Sequence, residues 1–296
     1  MATAYFNGEW IDDANIAIPV GDLGFAMGVA VTERLRTFNH RPYRQEEHLH
    51  RMRRSLEIVG MEAESLCEEL NGAIDAFVER NRGEFREGDD WAVVVFATPG
   101  AGSGPTRCVH GFPLPFVDWA SHYETGVSLQ VSDFRQTPAS CWPPELKCRS
   151  RMHYYLADQQ ARSIEPGARA LVLDQDGFVG EASTANVLVY RRDEGLVSPR
   201  MEKVLPGVSV AVVKEIAERL SLPFVERDLT VEEFMAADEA MLSSTSVCTL
   251  PVVRCNGCAI ASGAPGEVYR AILGAWNDLA GLDIAAQARA QARSGA

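Results

Sequence analysis

The sequence predicts an α+β protein in which strands are grouped and helices pack beside them. Some stretches have the alternating or uniformly apolar pattern of strands, and others have the three-to-four-residue apolar spacing of helices. The two kinds do not follow one another in a regular strand–helix–strand order. The chain has 296 residues, of which 46% are hydrophobic, so it can form one large or two medium cores.

The first 116 residues are predicted to form one domain. Asn7-Gly8, set between apolar residues, is typical of a type I′ hairpin turn. Leu49, Met52 and Leu56 share one side of a helical pattern. The predicted elements are a hairpin at 5–11, a strand at 29–36, helices at 45–59 and 64–80, a strand at 91–98 and an extended segment at 109–116.

Residues 117–124 are predicted to link this domain to a second one at 125–283. The tail at 284–296 is rich in alanine, glutamine and arginine. It predicts a frayed helix or disorder, and we assign it no role. The elements predicted in the second domain are strands at 127–131, 168–173, 178–179, 186–191, 239–243 and 251–255, and helices at 151–164, 209–220, 231–236 and 266–279.

Charge and composition argue against several classes of function. The net charge is −13 and the isoelectric point is about 5.0, whereas nucleic acid and anionic membranes require clustered lysine and arginine. No signal peptide is visible, and no apolar stretch is long enough to span a bilayer. We therefore expect a cytoplasmic protein that acts on small molecules.

The seven cysteines predict neither a disulfide framework nor a metal site. Their number is odd and their spacing is irregular. Cys255 and Cys258 have C-x-x-C spacing, but the Asn256-Gly257 pair between them is a type I′ turn signal. We predict a hairpin with two reduced thiols, since no second such pair exists in the sequence to complete a zinc site.

Lys147 and Glu181 are the first candidate functional residues. Lys147 precedes a predicted helix and has Arg149 and Arg151 nearby, and positive neighbours favour the neutral amine that Schiff-base chemistry needs. Glu181 follows a short strand, and a carboxylate can keep a ring nitrogen protonated. Taken alone, Lys147 fits a surface lysine and Glu181 fits a hairpin-edge acid.

Three further segments could bind a phosphate group. The sequence Leu205-Pro206-Gly207-Val208-Ser209 leads into a predicted helix, whose first N–H groups bind anions well. Ser243-Ser244-Thr245-Ser246 offers hydroxyl groups, and Arg51 offers a bidentate cation. An ordinary helix start, a polar loop and a surface arginine are the alternatives. Together with Lys147 and Glu181, these segments suggest pyridoxal phosphate held as a Schiff base.

Basic residues suggest where a substrate carboxylate could bind. Arg107 and His110 flank an extended segment and could hold one carboxylate. The pattern fits equally well if Arg107 and His110 are solvated residues at the end of a strand. Arg36 and Arg151 are further candidates, with Arg107, for a second carboxylate.

In this order the motifs resemble those of the class IV, or fold type IV, pyridoxal-phosphate aminotransferases. This family includes branched-chain aminotransferases, D-amino-acid aminotransferases and aminodeoxychorismate lyase. The resemblance covers residues 6–279, and it depends on the shared order of motifs that are weak singly. They are Asn7-Gly8, Asp22-x-Gly24-Phe25, Glu47-His48-Leu49-x-Arg51-Met52-x-x-Ser55, Lys147 with Leu156-Ala157, Gly177-x-x-x-Glu181-x-x-x-x-Asn186, Leu205-Pro206-Gly207-Val208, and Ser244-Thr245 to Pro251-Val252.

The resemblance implies a small N-terminal α/β domain, a larger C-terminal α/β domain and a cofactor between them. It also implies a homodimer whose active site takes residues from the partner. Lys147 would carry pyridoxal 5′-phosphate, Glu181 would pair with its ring nitrogen, and Leu205 would lie against the ring. The phosphate ligands that the resemblance implies are Arg51, Thr245 and the amides of Val208 and Ser209.

Several positions on the substrate side depart from the family pattern. The segment Met27-Gly28-Val29-Ala30 replaces a glycine–aspartate segment, and Thr32 and Arg151 each replace an aromatic residue. Phe25 lacks a hydroxyl group that D-amino-acid aminotransferases use to bind a carboxylate. In that same site His110 matches the family, whereas Arg107 is offset by one position. The cofactor residues therefore follow the family, and the substrate residues match no subgroup.

The predicted function is amino transfer between an amino acid, of branched-chain or D-amino-acid type, and a 2-keto acid. Lys147 would be both nucleophile and general acid–base. Two alternatives stay open at this point. One is a lyase that releases pyruvate, like aminodeoxychorismate lyase, and the other is a cofactor-binding protein with weak or no catalysis.

Overall fold

The structure is a computed structural model that describes residues 2–294. The chain divides into two compact units. Unit 1 comprises the residues up to Pro115 together with Glu145–Ser150, and unit 2 comprises Phe116–Pro144 and the residues from Arg151 on. No helix within 2–294 is both long enough and apolar enough to cross a membrane.

Unit 1 is built on an antiparallel sheet. Its elements are β1 (Thr3–Phe6), β2 (Glu9–Asp12), a one-turn helix α1 (Leu23–Ala26), β3 (Val31–Phe38), β4 (Arg41–Pro42), α2 (Gln45–Ile58), α3 (Glu64–Arg80), β5 (Trp91–Thr98) and β6 (Thr106–Pro113). Within the described residues the strand order is β2-β1-β6-β5-β3-β4. The predicted β1–β2 hairpin is confirmed, and Asn7 and Gly8 both have positive φ as a type I′ turn requires.

Helices α2 and α3 cover one face of this sheet. Met52 and Leu56 of α2 and Ile74 and Phe77 of α3 are completely buried against strand residues such as Leu35. Burial of each such side chain contributes about 1.5–3 kcal/mol. Because side chains alternate along a strand, every second residue of β3, β5 and β6 points to the other face.

Unit 2 contains a closed sheet. Its elements are α4 (His122–Thr125), β7 (Val127–Arg135), α5 (Met152–Ile164), β8 (Arg169–Leu173), β9 (Val179–Ala182), β10 (Ala185–Arg191), β11 (Gly195–Ser198), α6 (Val208–Arg219), β12 (Phe224–Glu226), α7 (Val231–Met235), β13 (Glu239–Ser244), β14 (Cys248–Cys255), β15 (Cys258–Ala259), α8 (Glu267–Ala280) and α9 (Ile284–Ser294). The strands follow the order β10-β13-β14-β7-β8-β9, and β9 pairs back with β10. This closure makes a barrel, so none of these strands is a free edge within 2–294.

The barrel of unit 2 is mixed rather than purely antiparallel. β7 runs parallel to both β8 and β14, whereas β10 is antiparallel to β9 and β13. The strands β11 and β12 extend the sheet beyond β10, and they were not predicted. Both are short, which explains why their patterns are weak. The predicted Cys255–Cys258 hairpin is confirmed, with both central residues at positive φ.

Two boundaries differ from the predicted ones. Residues 117–124, predicted as a linker, belong to unit 2 and include a short 3-10 helix and most of α4. The tail from Ile284 to Ser294 forms α9 rather than disordered chain, because Ile284 and Ala288 are completely buried. Residues 295 and 296 lie outside the described part of the chain.

Candidate active site

The segment that carries Lys147 is held to unit 1 by its main chain. The Lys147 carbonyl accepts a hydrogen bond from the Thr32 amide at 3.0 Å, and the Lys147 amide donates to Ser55 Oγ at 3.1 Å. The Arg149 amide donates to the Ala30 carbonyl at 2.9 Å. This pairing explains why Glu145–Ser150 clusters with unit 1, although the chain on both sides of it belongs to unit 2.

A buried ion pair lies in the same unit, between β3 and α2. Glu33 accepts hydrogen bonds from Arg51 Nε at 2.7 Å and from Arg51 Nη2 at 2.8 Å. His48 Nδ1 lies 2.7 Å from the second oxygen of the same carboxylate. All three side chains are buried, so the predicted phosphate ligand Arg51 is already fixed in a two-pronged contact by the protein itself.

The electrostatics of this cluster follow from its burial. Burial alone would raise the pKa of Glu33, but Arg51 and then His48 outweigh it and hold that pKa far below its usual range. Burial lowers the pKa of His48 despite Glu33, and the charges of Arg51 and Lys147 lower it further. The cluster therefore consists of a carboxylate, a guanidinium and a neutral imidazole at pH 7.

The structure separates the predicted pair Arg107 and His110. Arg107 Nε donates to Glu69 on α3 at 2.5 Å, and Tyr5 also donates to Glu69. Because residues 107 and 110 are three apart on β6, His110 points to the opposite face of the sheet. Arg36 is buried, with its guanidinium 4.0 Å from the Phe38 ring and its Nε bonded to the Thr37 carbonyl.

Glu181 is the corresponding buried carboxylate of unit 2. It lies on β9, where it accepts a short hydrogen bond from the Leu205 amide. The Gln136 amide nitrogen lies 3.5 Å from Oε1 of Glu181, and the Tyr154 hydroxyl lies 3.5 Å from Oε2. The pKa of Tyr154 is raised well above its usual value, mainly by burial and then by the charge of Glu181. The phenol therefore stays protonated. Gln136 Oε1 is buried and has no hydrogen-bond partner among the described residues.

The chain from Leu205 to Ser209 turns into α6 beside Glu181. Asn186 of β10 donates from Nδ2 to the Leu205 carbonyl at 2.9 Å. Gly207 is the N-cap of α6, and no side chain caps the helix there. A Cβ at Gly207 would collide with Asn186 Oδ1, which accounts for the glycine. The first N–H groups of the helix, those of Val208 and Ser209 included, have no partner within the helix itself.

Three strands bring the unit 2 candidates into one region. Glu181 is the cross-strand neighbour of Asn186, and Asn186 is the neighbour of Ser243 on β13. Adjacent strands are about 4.8 Å apart, so this row spans about 10 Å. Thr245 follows two residues after Ser243 in the turn between β13 and β14. A buried carboxylate, a helix start and a hydroxyl-rich turn are thus positioned by neighbouring strands of unit 2.

Some residues of these clusters were missed from the sequence. The sequence pattern marks Glu33 only as a strand residue, and it does not distinguish Gln136 or Tyr154. Tyr154 precedes the buried Ala157 and Ala161 of α5 by three and seven residues. This helical spacing is the signal that places Tyr154 on the buried side of the helix. Gln136 lies just beyond a strand end and gave no signal. Arg151 lies at the N-cap position of α5.

Comparison with known proteins places these clusters in context. Residues 30–255 match the family model described as amino-transferase class IV. The chain is 27% identical to a D-alanine aminotransferase of Staphylococcus aureus (strain N315) over 285 residues, covering 91% of this chain and 95% of that protein. It is 29% identical over 245 residues to a probable branched-chain-amino-acid aminotransferase of Thermotoga maritima, covering 82% and 84%.

Solved structures give the same picture of the fold. The T.th. branched-chain amino acid aminotransferase, solved with pyridoxamine 5′-phosphate, superposes with a TM-score of 0.85 at 23% identity. That alignment covers 95% of this chain and 94% of the other. A putative branched-chain amino acid aminotransferase from Thermotoga maritima gives a TM-score of 0.79 at 26% identity, with 94% and 95% covered. The predicted fold type is thereby confirmed.

Proposed function

Since this chain belongs to the class IV aminotransferases, we propose that pyridoxal 5′-phosphate is its cofactor, bound by Lys147 and Glu181. The reaction of the enzyme is the transfer of an amino group from an amino acid to a 2-keto acid. When bound, the cofactor supplies a conjugated ring that accepts the electron pair released at the substrate's α-carbon. Cofactor binding and proton transfer are then carried out by side chains of the protein.

The observation that carries the proposal is the row of Glu181, Asn186 and Ser243 beside the uncapped start of α6. A carboxylate binds a protonated ring nitrogen, and a helix N-terminus binds a phosphate. Both groups belong to one molecule in pyridoxal phosphate. The residues of unit 2 therefore fit the cofactor at its two polar ends.

Lys147 is proposed as the amine that binds the cofactor and then moves the proton at the substrate's α-carbon. The sequence contains three lysines. Lys203 forms ion pairs with Asp174 and Asp228 at 3.0 and 2.9 Å, and Lys214 lies 3.4 Å from Glu226. Lys147 is the lysine whose main chain is fixed against the buried Glu33 cluster, so its attachment point is well defined.

Glu181 is proposed to hold the proton on the ring nitrogen. The Leu205 amide fixes the carboxylate, and Tyr154 and Gln136 border it. These three partners orient the Glu181 carboxylate. A carboxylate held in this orientation beside the ring nitrogen would favour the protonated ring.

The phosphate group is proposed to bind at the amides of Val208 and Ser209, with Thr245 donating a hydroxyl and Arg51 a guanidinium. Two N–H donors of the Arg51 guanidinium bind Glu33. Glu33 thus sets the orientation of Arg51. Leu205 is proposed to lie against the cofactor ring.

Reduction with borohydride tests the proposed attachment. The protein is loaded with pyridoxal phosphate, reduced, digested and mapped by mass spectrometry. The label is expected on the peptide that contains Lys147, and the two other lysines serve as internal controls. A label on Lys203 or Lys214, or no bound chromophore at all, would refute the proposal.

Two variants complete this test. Lys147→Ala should lose the covalent label and reduce the amino transfer rate by about 10⁴-fold, the upper range for a general acid–base group. Lys214→Ala removes an exposed lysine on α6 and should keep both label and rate. Retention of the label by Lys147→Ala would contradict the assignment.

The substrate is proposed to be an amino acid of branched-chain or D-amino-acid type, because the relatives of this chain carry those names. A panel of L- and D-amino acids, added singly to the holoenzyme, should convert the yellow cofactor to its pyridoxamine form for one enantiomeric series. Release of pyruvate without any need for a keto acid acceptor would indicate the lyase instead.

The chain is further proposed to act as a homodimer. The segment around α1 exposes Val20, Phe25 and Met27, each with more than 70% of its surface accessible. Clustered exposed apolar residues are typical of a surface that another protein covers. Light scattering at micromolar concentration should give twice the chain mass of 32.4 kDa. A cytoplasmic location stays a prediction.

A further inference from the structure

Two polar side chains of unit 2 lie beside Glu181, one at each oxygen of its carboxylate. The Tyr154 hydroxyl donates to Oε2 at 3.5 Å, and Gln136 Nε2 donates to Oε1 at 3.5 Å. A side-chain hydrogen bond also links Gln136 to Tyr154. The two donors therefore form one connected group with the carboxylate, and a change in either of them is felt at Glu181.

The Tyr154 ring is fixed by packing next to the strand that carries Glu181. The ring packs against a small buried cluster of α5 and β8, which consists of Ala157, Ala161, Ala170 and Val172. Val172 is the direct cross-strand neighbour of Glu181. Burial, and then the charge of Glu181, raise the pKa of Tyr154 well above its usual value. The phenol is therefore a donor that keeps its proton and is held in one place.

The Gln136 amide depends on the missing side chain of Gly180. A Cβ at Gly180 would collide with Gln136 Oε1 and would crowd the Val172 carbonyl oxygen at 3.0 Å. The φ angle of Gly180 is not positive, so the backbone itself does not require glycine there. The close approach of the amide accounts for the glycine, which directly precedes Glu181 in β9.

The orientation of this amide has a cost that points to its role. Gln136 is 8% exposed, and its Oε1 has no hydrogen-bond partner among the described residues. A buried acceptor without a partner is unfavourable, so the gain must come from the nitrogen end, which meets Glu181. The main chain of Gln136 is anchored separately, by its amide to the Leu173 carbonyl at 2.9 Å and by its carbonyl to Gln175 Nε2 at 2.6 Å.

Donors to a carboxylate affect where a shared proton lies. Hydrogen bonds to the charged form of a carboxylate favour that form over the acid. When a carboxylate and a ring nitrogen share one proton, such donors keep the proton on the nitrogen. Loss of a donor moves the proton towards the carboxylate, and a neutral ring accepts electrons less well.

We propose that Tyr154 and Gln136 are positioning residues that keep the shared proton on the ring nitrogen of the cofactor, and that position 180 is glycine to admit the Gln136 amide. This inference rests on the proposed function. Both side chains act through Glu181, and neither moves the proton at the substrate's α-carbon.

The protonation of the ring nitrogen is the direct test. Each variant is loaded with pyridoxal phosphate that carries nitrogen-15 in its ring, and the resonance of that nitrogen is recorded at neutral pH. Tyr154→Phe should move the resonance towards that of neutral pyridine. It should also raise the dissociation constant of pyridoxal phosphate about two- to tenfold, the range for one hydrogen bond. A purely structural role would weaken binding without moving the resonance.

A double-variant cycle tests the role of Gly180. Gly180→Ala should displace the amide and move the resonance in the same direction as Gln136→Ala. The double variant should show no larger shift than Gln136→Ala alone, because the amide that alanine displaces is then absent. Additive shifts would overturn the role assigned to Gly180.

Tyr190→Phe is the matched control, because it removes one phenol from a partly buried position of the same unit, on β10. It should leave the resonance and the dissociation constant unchanged. An unmoved resonance in Tyr154→Phe, with or without weaker binding, would overturn the proposal. If Tyr154→Phe fails to fold, the Gln136→Ala resonance decides. A failure of the proposed function is seen separately, since the unaltered protein would then have no chromophore or no label on Lys147.

Discussion

Within residues 2–294, each unit buries one glutamate, and the hydrogen-bond donors around the two carboxylates differ. Glu33 in unit 1 faces a guanidinium that contacts it twice and an imidazole. Glu181 in unit 2 faces a backbone amide, a carboxamide and a phenol. The first carboxylate has its charge matched within the protein. The described donors to the second carboxylate are neutral groups, and they fix its orientation.

This difference separates a structural role from a chemical one. Removal of charge at Glu33 leaves a buried cation, and the cost falls on folding. Removal of charge at Glu181 removes the carboxylate that is proposed to hold the proton on the ring nitrogen, so the cost is expected in the reaction. The same type of substitution at the two positions should therefore change different measurements.

The largest effect is expected at Glu33. Glu33→Gln should lower the free energy of unfolding by about 3–5 kcal/mol, because Arg51 keeps its charge in a buried site. Urea denaturation followed by circular dichroism measures this. Glu145→Gln is the control, since its ion pair with Arg54 at 2.9 Å is largely exposed and its loss should leave the free energy of unfolding nearly unchanged. Equal losses in both variants would contradict the comparison.

The second effect is expected at Glu181. Glu181→Gln should reduce the amino transfer rate about 10²-fold, a typical cost of losing one electrostatic contact to the reacting group. The Leu205 hydrogen bond remains possible, so the unfolding free energy should change by no more than about 1 kcal/mol. Single-turnover absorbance gives the rate and urea denaturation gives the stability. A stability loss as large as that of Glu33→Gln would mean that the two sites do not differ.

A third effect is expected at Gly207. A methyl group there would collide with Asn186 Oδ1 and displace the turn that leads to Val208. Gly207→Ala should cost about 1–3 kcal/mol of stability, the usual range for overpacking, and should weaken phosphate binding. Fluorescence titration with pyridoxal phosphate measures the latter. Gly72→Ala, at an open position inside α3, is the control: it should leave cofactor binding unchanged and raise stability by about 0.5–1 kcal/mol, because alanine favours the helix.

The smallest effect concerns pH. The folded pKa of His48 lies below its usual value of 6.5, so the unfolded chain binds a proton first as pH falls. Stability from this residue is fully present above pH 6.5 and is lost progressively as the pH falls from 6.5 to 5. Urea denaturation across this range should show a shallower slope for His48→Gln. His50→Gln, on the exposed side of α2, should keep the original slope.

The sequence predicted the regular elements well where one pattern dominated. The helix at 64–80 and the strand at 91–98 match the structure residue for residue. Both have a strong apolar period, and a core forms along it. The short strands β11 and β12 escaped prediction because a few residues carry too little pattern to distinguish a strand from a loop.

The candidate site was predictable in its individual parts but not in its connections. Motif order indicated Lys147, Glu181 and Arg51, each from its own segment. The Glu33–Arg51 ion pair could not be predicted from the sequence, because the two residues are 18 positions apart on different elements. Arg107 and His110 point to opposite faces because of their positions along β6. The prediction of an extended segment did not define which face each residue points to.

The main-chain anchoring of Lys147 has a consequence for how the enzyme can diversify. The segment is fastened to unit 1 through amide and carbonyl groups and one serine hydroxyl. Substitutions at Cys148 or Arg149 therefore leave those main-chain bonds intact. The reactive amine can stay in place while its surroundings change, which lets this scaffold acquire new specificities in small, separately tolerated mutational steps.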